Sequence, residues 1–304
     1  MLLRTGLATA SALATNVIKA GSPTVVPLDN SHTSEVLAFL ARRPIHTVMM
    51  AGLVRDNGLV NPLNRGTFHA CRDEAGRLEG VVLIGEIIML EAVKEAALAA
   101  AARLAQSYAN AYMIIGERGK IDRFWNYYDG NGQSPRLFCR ELLFELRWPV
   151  EVREPIPGLR PATPHDLELV MPVHGDMALE ESGINPLEVD PDGFRQRCAR
   201  RIEQGRVWVW TEGRRVIFKA DIVSETPEAI YVEGVYVNPE ERGKQLGVRC
   251  FSQLSRDLLL RTKSLCLLVN EQNREAQTLY RKSHYRFRSY YDTIFLQQQS
   301  NQGA

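Results

Sequence analysis

The stretch Val235-Tyr236-Val237-Asn238-Pro239-Glu240-Glu241-Arg242-Gly243-Lys244-Gln245-Leu246-Gly247-Val248 holds the residues with most to offer chemically. An apolar run gives way to a proline, a glycine-containing loop and an amphipathic pattern, the order of a strand, a tight turn and a helix start. Successive amides in such a loop converge on one concavity, and the helix dipole adds positive character there. Arg242 and Lys244 set two cations beside it. A phosphate or pyrophosphate suits that geometry; the plain alternative is an ordinary turn with solvated basic residues. Neither GxxxxGK[ST] nor GxGxxG is present, so this is not a P-loop or a dinucleotide fingerprint. The six histidines show no metal-ligand spacing, and no Cys/His cluster supports zinc, so no metal is expected. Asp190, Asp192 and Gly193 lack the remaining ligands of a calcium loop and read as helix capping.

A second block, Asn273-x-x-Ala276-x-x-Leu279-Tyr280-x-Lys282, follows in the same half of the chain. The two blocks together resemble the GNAT superfamily of acyl-CoA-dependent N-acetyltransferases. Val237, Pro239, Arg242, Gly243 and Gly247 match that family's pyrophosphate loop, V-x-P-x-x-R-G-x-G-x-G/A, with Gln245 in place of the middle glycine. The second block matches N-x-x-A-x-x-L-Y-x-K-x-G-F, with His284 and Tyr285 where Gly-Phe is usual. The likeness spans about residues 158–295.

The resemblance implies acetyl-CoA as co-substrate. It would be held by Val235, Tyr236 and Val237 on the strand, and by Arg242, Gly243, Lys244, Gln245, Leu246, Gly247 and Val248 around the loop. Asn270, Asn273, Ala276, Tyr280 and Lys282 would complete the site. The fourth and fifth strands of the half would splay apart around the thioester, with amides near Val235 and Val237 polarising its carbonyl. A neutral amine would then attack directly in a ternary complex, with no covalent nucleophile. Tyr280 matches the tyrosine that protonates the leaving thiolate; packing on an amphipathic helix is the alternative. Glu233, two residues before Val235 and so expected on the same strand face, is the candidate base, with Tyr231 as its rival. Gln245 keeps a backbone N–H, yet a side chain there obstructs close approach or resists a positive φ, so weakened CoA binding or a shifted loop is expected.

These residues need a scaffold. WPVEVREPIPG (residues 148–158) carries three prolines and is a poor helix and a poor central strand. It divides the chain into a leader (1–21), a first half (22–150), a linker (151–157) and a second half (158–304). The second half reads β-α-α-β-β-β-α-β-α-β, and the first repeats that order. The expected fold is α/β (α+β): two GNAT-like domains, each a mixed, mostly antiparallel sheet flanked by helices. In the first half the corresponding link, Leu90-Glu91-Ala92-Val93-Lys94-Glu95, contains no glycine, so no pyrophosphate cradle is expected there. That half is read as degenerate, buttressing the active half or shaping its acceptor entrance. Asp129-Gly130-Asn131-Gly132 reads as a turn, and Trp208 and Trp210 as core or acceptor-pocket packing.

With 45% hydrophobic and 24% charged residues among 304, the chain is neither disordered, collagen-like nor a membrane bundle. Five cysteines, none at CxxC spacing, read as reduced thiols in the cytoplasm. The net charge of +1 argues against a globally basic nucleic-acid binder, and neither a nucleic-acid nor a membrane partner is expected. That sum conceals a block of −8 over residues 164–194, which contain eight acidic residues and no Lys or Arg. Residues 241–304 carry eleven basic against five acidic residues, or +6. An acidic wall attracts a cationic amine, such as a polyamine, a lysine-like amine or a basic peptide; a solvated helical face is the bland account. The rival functions are an acyl-CoA-binding sensor without turnover and a transferase of longer acyl chains.

Overall fold

A computed structural model of the protein describes residues 23–108, 110–128, 134–152 and 154–297. The expected leader and the Asp129–Gly132 turn lie outside the described residues. The first half runs β1 (Thr24–Pro27), α1 (Thr33–Leu40), α2 (Pro44–Asn57), β2 (Gly66–Arg72), β3 (Leu78–Gly85), β4 (Ile87–Ala92), α3 (Glu95–Ala105), β5 (Met113–Glu117), α4 (Arg118–Tyr128) and β6 (Pro135–Leu146). The second runs β7 (Arg160–Pro161), α5 (Leu167–Ser182), α6 (Pro186–Val189), α7 (Pro191–Glu203), β8 (Val207–Glu212), β9 (Arg215–Glu225), β10 (Ile230–Val237), α8 (Leu246–Leu258), β11 (Leu265–Asn270), α9 (Arg274–Lys282) and β12 (Arg286–Leu296). The short α6 adds a helical turn between the two helices expected at the start of this half.

Local chemistry sets the helix starts. Pro44, Pro186 and Pro191 each open a helix, where a missing N–H costs nothing and φ is already helical. Asp190 caps α7 by accepting the Gly193 N–H at 3.0 Å. Thr163 and Asp166 form a capping box ahead of α5, and Asp166 is held further by Arg160 at 2.7 Å.

Among the described residues the strands form one sheet in the order β1-β2-β3-β4-β5-β12-β6-β11-β10-β9-β8-β7. Pairing is antiparallel except between β4 and β5 and between β10 and β11. The middle of this order exchanges the closing strands of the two halves. β6 pairs with β11 from Leu146↔Leu265 to Glu141↔Asn270, whereas β12 pairs with β5 and, along its length, with β6. The linker therefore divides the chain in sequence, but not the sheet.

The cores follow the same exchange. One sheet face buries Phe144 and Leu146 of β6 together with Phe218, Val232, Leu267 and the apolar stripe Phe251, Leu254 and Leu258 of α8. Each such side chain contributes about 1.5–3 kcal/mol by leaving water. The other face is covered from the first half: Val48 of α2 packs with Leu143, Tyr231, Cys266 and Tyr291. Ser224 of β9 donates to the Val48 carbonyl at 2.6 Å, and a Cβ on Gly52 would lie 1.8 Å from that serine oxygen. Only a bare Cα lets α2 approach so closely. Trp208 and Trp210 pack, half-buried, against the α8 core.

Candidate active site

The site begins with a break in strand pairing. β10 and β11 pair only at Ile230↔Leu265 and Tyr231↔Cys266, so beyond these residues the two parallel strands diverge. On its other edge β10 sets Glu233 opposite Asp221 and Tyr236 opposite Lys219, three residue steps against two. This is a bulge, centred on Gly234 at φ +60°. An extra residue reverses the side-chain alternation, which corrects the expectation that Glu233 and Val235 share a face. Glu233 stays on the side of Tyr231 and Asp221, whereas Val235 and Val237 turn into the core beneath α8. A Cβ on Gly234 would come within 2.5 Å of the Asp221 carboxylate and 2.9 Å of Lys219 Nζ.

Past the bulge the chain builds a cradle. Asn238 caps a single turn by accepting the Glu240 N–H at 3.1 Å, and Gly243 takes φ +78°. Gln245 adopts a left-handed conformation, φ +61°, immediately before α8 and gives that helix no side-chain cap. The loop therefore keeps a glycine-like path despite the substitution. The Arg249 N–H makes the return bond to the Gln245 carbonyl at 3.1 Å, so the amides of Leu246, Gly247 and Val248 precede the hydrogen-bonded ladder. A Cβ on Gly247 would lie 2.9 Å from both Val237 and Leu279, so this glycine lets helix, strand and α9 close on one another.

A groove of about 620 Å³ runs over this cradle. Val235, Val237, Arg242, Gly243, Gln245, Leu246, Gly247 and Val248 form one wall, and Asn273, Ala276, Tyr280 and Lys282 the other. Three residues expected with them stand apart. Lys244 pairs with Glu241 at 2.9 Å, Tyr236 is rotated away by the bulge, and Asn270 lines a second chamber. Arg242 is exposed and 3.9 Å from Glu275. Asn273 caps α9 by accepting the Ala276 N–H at 3.0 Å.

The second chamber, about 640 Å³, meets the groove at Glu180, Val235, Asn273, Ala276 and Tyr280. Tyr280 is 7% exposed and packs against Phe251 with ring centroids 5.4 Å apart. Burial pushes its phenol well above the ordinary range, and its hydroxyl makes no hydrogen bond among the described residues. Packing and a retained, transferable proton thus coexist in one side chain.

Carboxylates dominate the chamber wall. Glu233 (β10), Glu181 (α5) and Glu141 (β6) all line it. Burial pushes Glu141 up to about 7, against a 2.5 Å hydrogen bond donated by Thr293. Glu181 remains open to solvent at the chamber mouth, yet the surrounding protein and the Glu233 and Glu141 charges also push it up to about 7. Beneath them lies a buried ion pair: Lys219 Nζ donates to Asp221 at 2.6 Å, and His174 Nε2 sits 3.4 Å from the other Asp221 oxygen. Burial opposes ionisation of Asp221, but Lys219 outweighs it and holds the carboxyl well below its ordinary value. Burial also lowers His174, favouring the neutral imidazole.

Sequence reasoning missed Glu141, Lys219, Asp221 and His174 as chamber residues. The signal for Glu141, Lys219 and Asp221 was charge within apolar strands, Lys219-Ala220-Asp221 and Glu141 within Cys139–Leu146, where a buried charge needs a reason; His174, on α5, carried no such signal. The acidic block divides. Glu180 and Glu181 line the chamber, whereas Asp166, Glu168 and Asp190 are occupied by Arg160, Arg195 and Arg197.

The corresponding fork in the first half is filled. β4 and β5 pair from Ile87↔Met113 to Met89↔Ile115. Beside that fork Arg43 binds Glu91 at 3.1 Å and Glu117 at 2.8 Å, Lys120 also pairs with Glu91, and about 30 Å³ remains. Among the described residues, no group of three or more His, Cys, Asp or Glu side chains is arranged to hold a metal ion.

Two mixed half-sheets, each with a forked fourth and fifth strand, define the tandem GNAT fold. The chain is similar to a tandem GNAT protein from the clavulanic acid biosynthesis pathway: TM-score 0.55, 14% identity, over 90% of this chain and 97% of that one. It is similar to the X-ray structure of a Drosophila protein at TM-score 0.67 and 14% identity, over 91% of this chain and 100% of that one. A GNAT acetyltransferase from Colwellia psychrerythraea gives TM-score 0.54 at 8% identity, over 90% and 100%. No family model and no curated protein matches the sequence.

Proposed function

We propose that the protein is an acetyl-CoA-dependent N-acetyltransferase that works in its second half, in the cytoplasm, by direct attack of a primary amine in a ternary complex. The observation that carries this reading is one cleft of two chambers meeting at Tyr280. Solved structures of similar fold that are described as acetyltransferases support it. The free amides at the start of α8 and the bare Cα of Gly247 fit a diphosphate, because a helix N-terminus without a side-chain cap offers donors and positive dipole to an anion. When bound, acetyl-CoA supplies a thioester-activated acetyl group.

The protein's own part is to hold two reactants and move two protons. Glu233 takes the proton of the incoming ammonium, directly or through water. Tyr231, its rival, is raised well above the ordinary phenol range by burial and by neighbouring carboxylates, so it stays protonated and is the poorer base. Tyr280, also kept protonated by burial, donates to the departing sulfur and regains a proton from solvent, while the second proton that nitrogen sheds as the amide forms passes to solvent. The five cysteines are free and buried, and burial raises the thiol of each, which suits a reducing compartment and leaves none as a nucleophile. No helix among the described residues is long and apolar enough to cross a membrane.

A thermal-shift titration with acetyl-CoA, free CoA and longer acyl-CoAs tests the reading, followed by thiol release with a panel of amines. Stabilisation by acetyl-CoA with amine-dependent thiol release is expected. No shift with any of the three overturns it. Binding without turnover makes the protein a sensor, and preference for longer chains makes it a different acyltransferase.

A further inference from the structure

We infer that the acceptor is a short linear diamine whose distal ammonium is held between Glu141 and Glu181 while its other amine reaches Glu233. The inference rests on the transferase reading and names its second substrate.

Three carboxylates arrive in one chamber from three elements, β6, α5 and β10, and Lys219 cannot neutralise them because it is committed to Asp221 at 2.6 Å. Arg201 reaches the chamber on the α7 side, beside His174 and Asp221. A second, independent feature points to the same missing group. Tyr231 is 6% exposed, lines this chamber, lies near Glu141, Glu181 and Glu233, and has a hydroxyl with no hydrogen-bond partner among the described residues. The side chain is buried while its oxygen faces the chamber, so that oxygen is free to accept a hydrogen bond from a ligand held there. An alkylammonium has three N–H donors, and Glu141, Glu181 and Tyr231 offer three acceptors. Met177, Ala178, Leu268 and Ala276 add apolar surface to the same lining, against which a methylene chain can lie. Without a cation Glu141 and Glu181 resist ionisation, both being pushed up to about 7. Because Glu141 belongs to the closing strand of the first half, the acceptor site is assembled from both halves.

Titration calorimetry of the full chain, without acetyl-CoA, compares 1,4-diaminobutane with butylamine, which has the same stem and one charge fewer. The diamine is expected to bind ~10–100-fold more tightly, the range for charge-assisted hydrogen bonds. Glu141→Gln and Glu181→Gln should remove most of that advantage while circular dichroism stays native. Equal affinity of the two amines in the unmodified protein overturns the inference, whether or not the variants fold. A preference untouched by both substitutions overturns it too. The acetyl-CoA thermal shift on the same preparation separates the two readings: no diamine preference with an intact shift sinks only this inference. A preference without any shift sinks the transferase reading, and with it the acceptor role, and leaves the chamber a diamine-binding site.

Discussion

Gln245 and His284 stand where the resembled motifs carry glycine, and both adopt left-handed backbone, at φ +61° and +66°. An L-residue there costs roughly 1–2 kcal/mol that glycine avoids. Gln245→Gly and His284→Gly should therefore each raise stability by about 1 kcal/mol, which for a chain this long is a rise of about 1.5 °C in Tm by thermal denaturation. A fall would mean that the side chains themselves support the turns. The motif comparison thus located both positions, but not their outcome: backbone sterics were met by strain and not by rerouting the loop. Glu141 and Glu181 carry a second residue-scale consequence. Both carboxyls are raised from an ordinary value of 4.5 to about 7, so between these limits the folded chain binds more protons than the unfolded chain. Their contribution is fully present below pH 4.5 and is lost as pH rises through 7. Urea titrations at pH 5 and pH 8 should show it, and Glu141→Gln should flatten the slope; an unchanged slope would count against the raised carboxyl.

At the scale of elements, most of the second half was legible. Alternating residues marked β10 over Ile230–Val237, an unbroken apolar run marked β11, and proline after a capping residue marked the start of α7. The bulge inside β10 was not legible, because Tyr-Val-Glu-Gly-Val-Tyr-Val alternates acceptably with or without an extra residue. Only the pairing with β9, which depends on Lys219 and Asp221, decides it. That one step rotates Glu233 into the carboxylate-lined chamber and Val235 into the core. Gly234→Ala should therefore damage more than local freedom. Its Cβ meets Asp221 at 2.5 Å at a position with φ +60°, so the bulge must be lost or the Lys219–Asp221 pair displaced. A loss of about 2 kcal/mol or more is expected by chemical denaturation, the sum of left-handed strain and overpacking. Turnover should fall further than acetyl-CoA affinity, since the groove lies on the other side of the bulge.

The whole molecule depends on an exchange that local sequence patterns do not reveal. Each half was legible as a repeat of the same elements, but a closing strand pairs equally well by pattern with its own fifth strand or with its neighbour's. The choice is made by long-range packing: Leu143 of β6, Tyr291 of β12 and Tyr231 of β10 share one buried cluster with Val48 of α2. Separating the halves would expose those side chains, at about 1.5–3 kcal/mol each, and would remove Glu141 from the carboxylate-lined chamber. The near-neutral charge belongs to this scale as well. Glu180 at the acidic end of α5 lines both chambers, and the groove sets Arg242, Arg274 and Lys282 beside Glu180, Glu241 and Glu275, so charge cancels locally there while the acidic excess falls in the second chamber. Residues 22–150 and 158–304 expressed apart are accordingly expected to aggregate or self-associate. A chain cut between Glu151 and Val152 should instead stay assembled and co-purify as a stoichiometric pair, because the sheet crosses the cut through β6·β11 and β5·β12 pairing. Native-like thermal denaturation of either half alone, as a monomer, would show that the exchange is dispensable and that each closing strand can return to its own half.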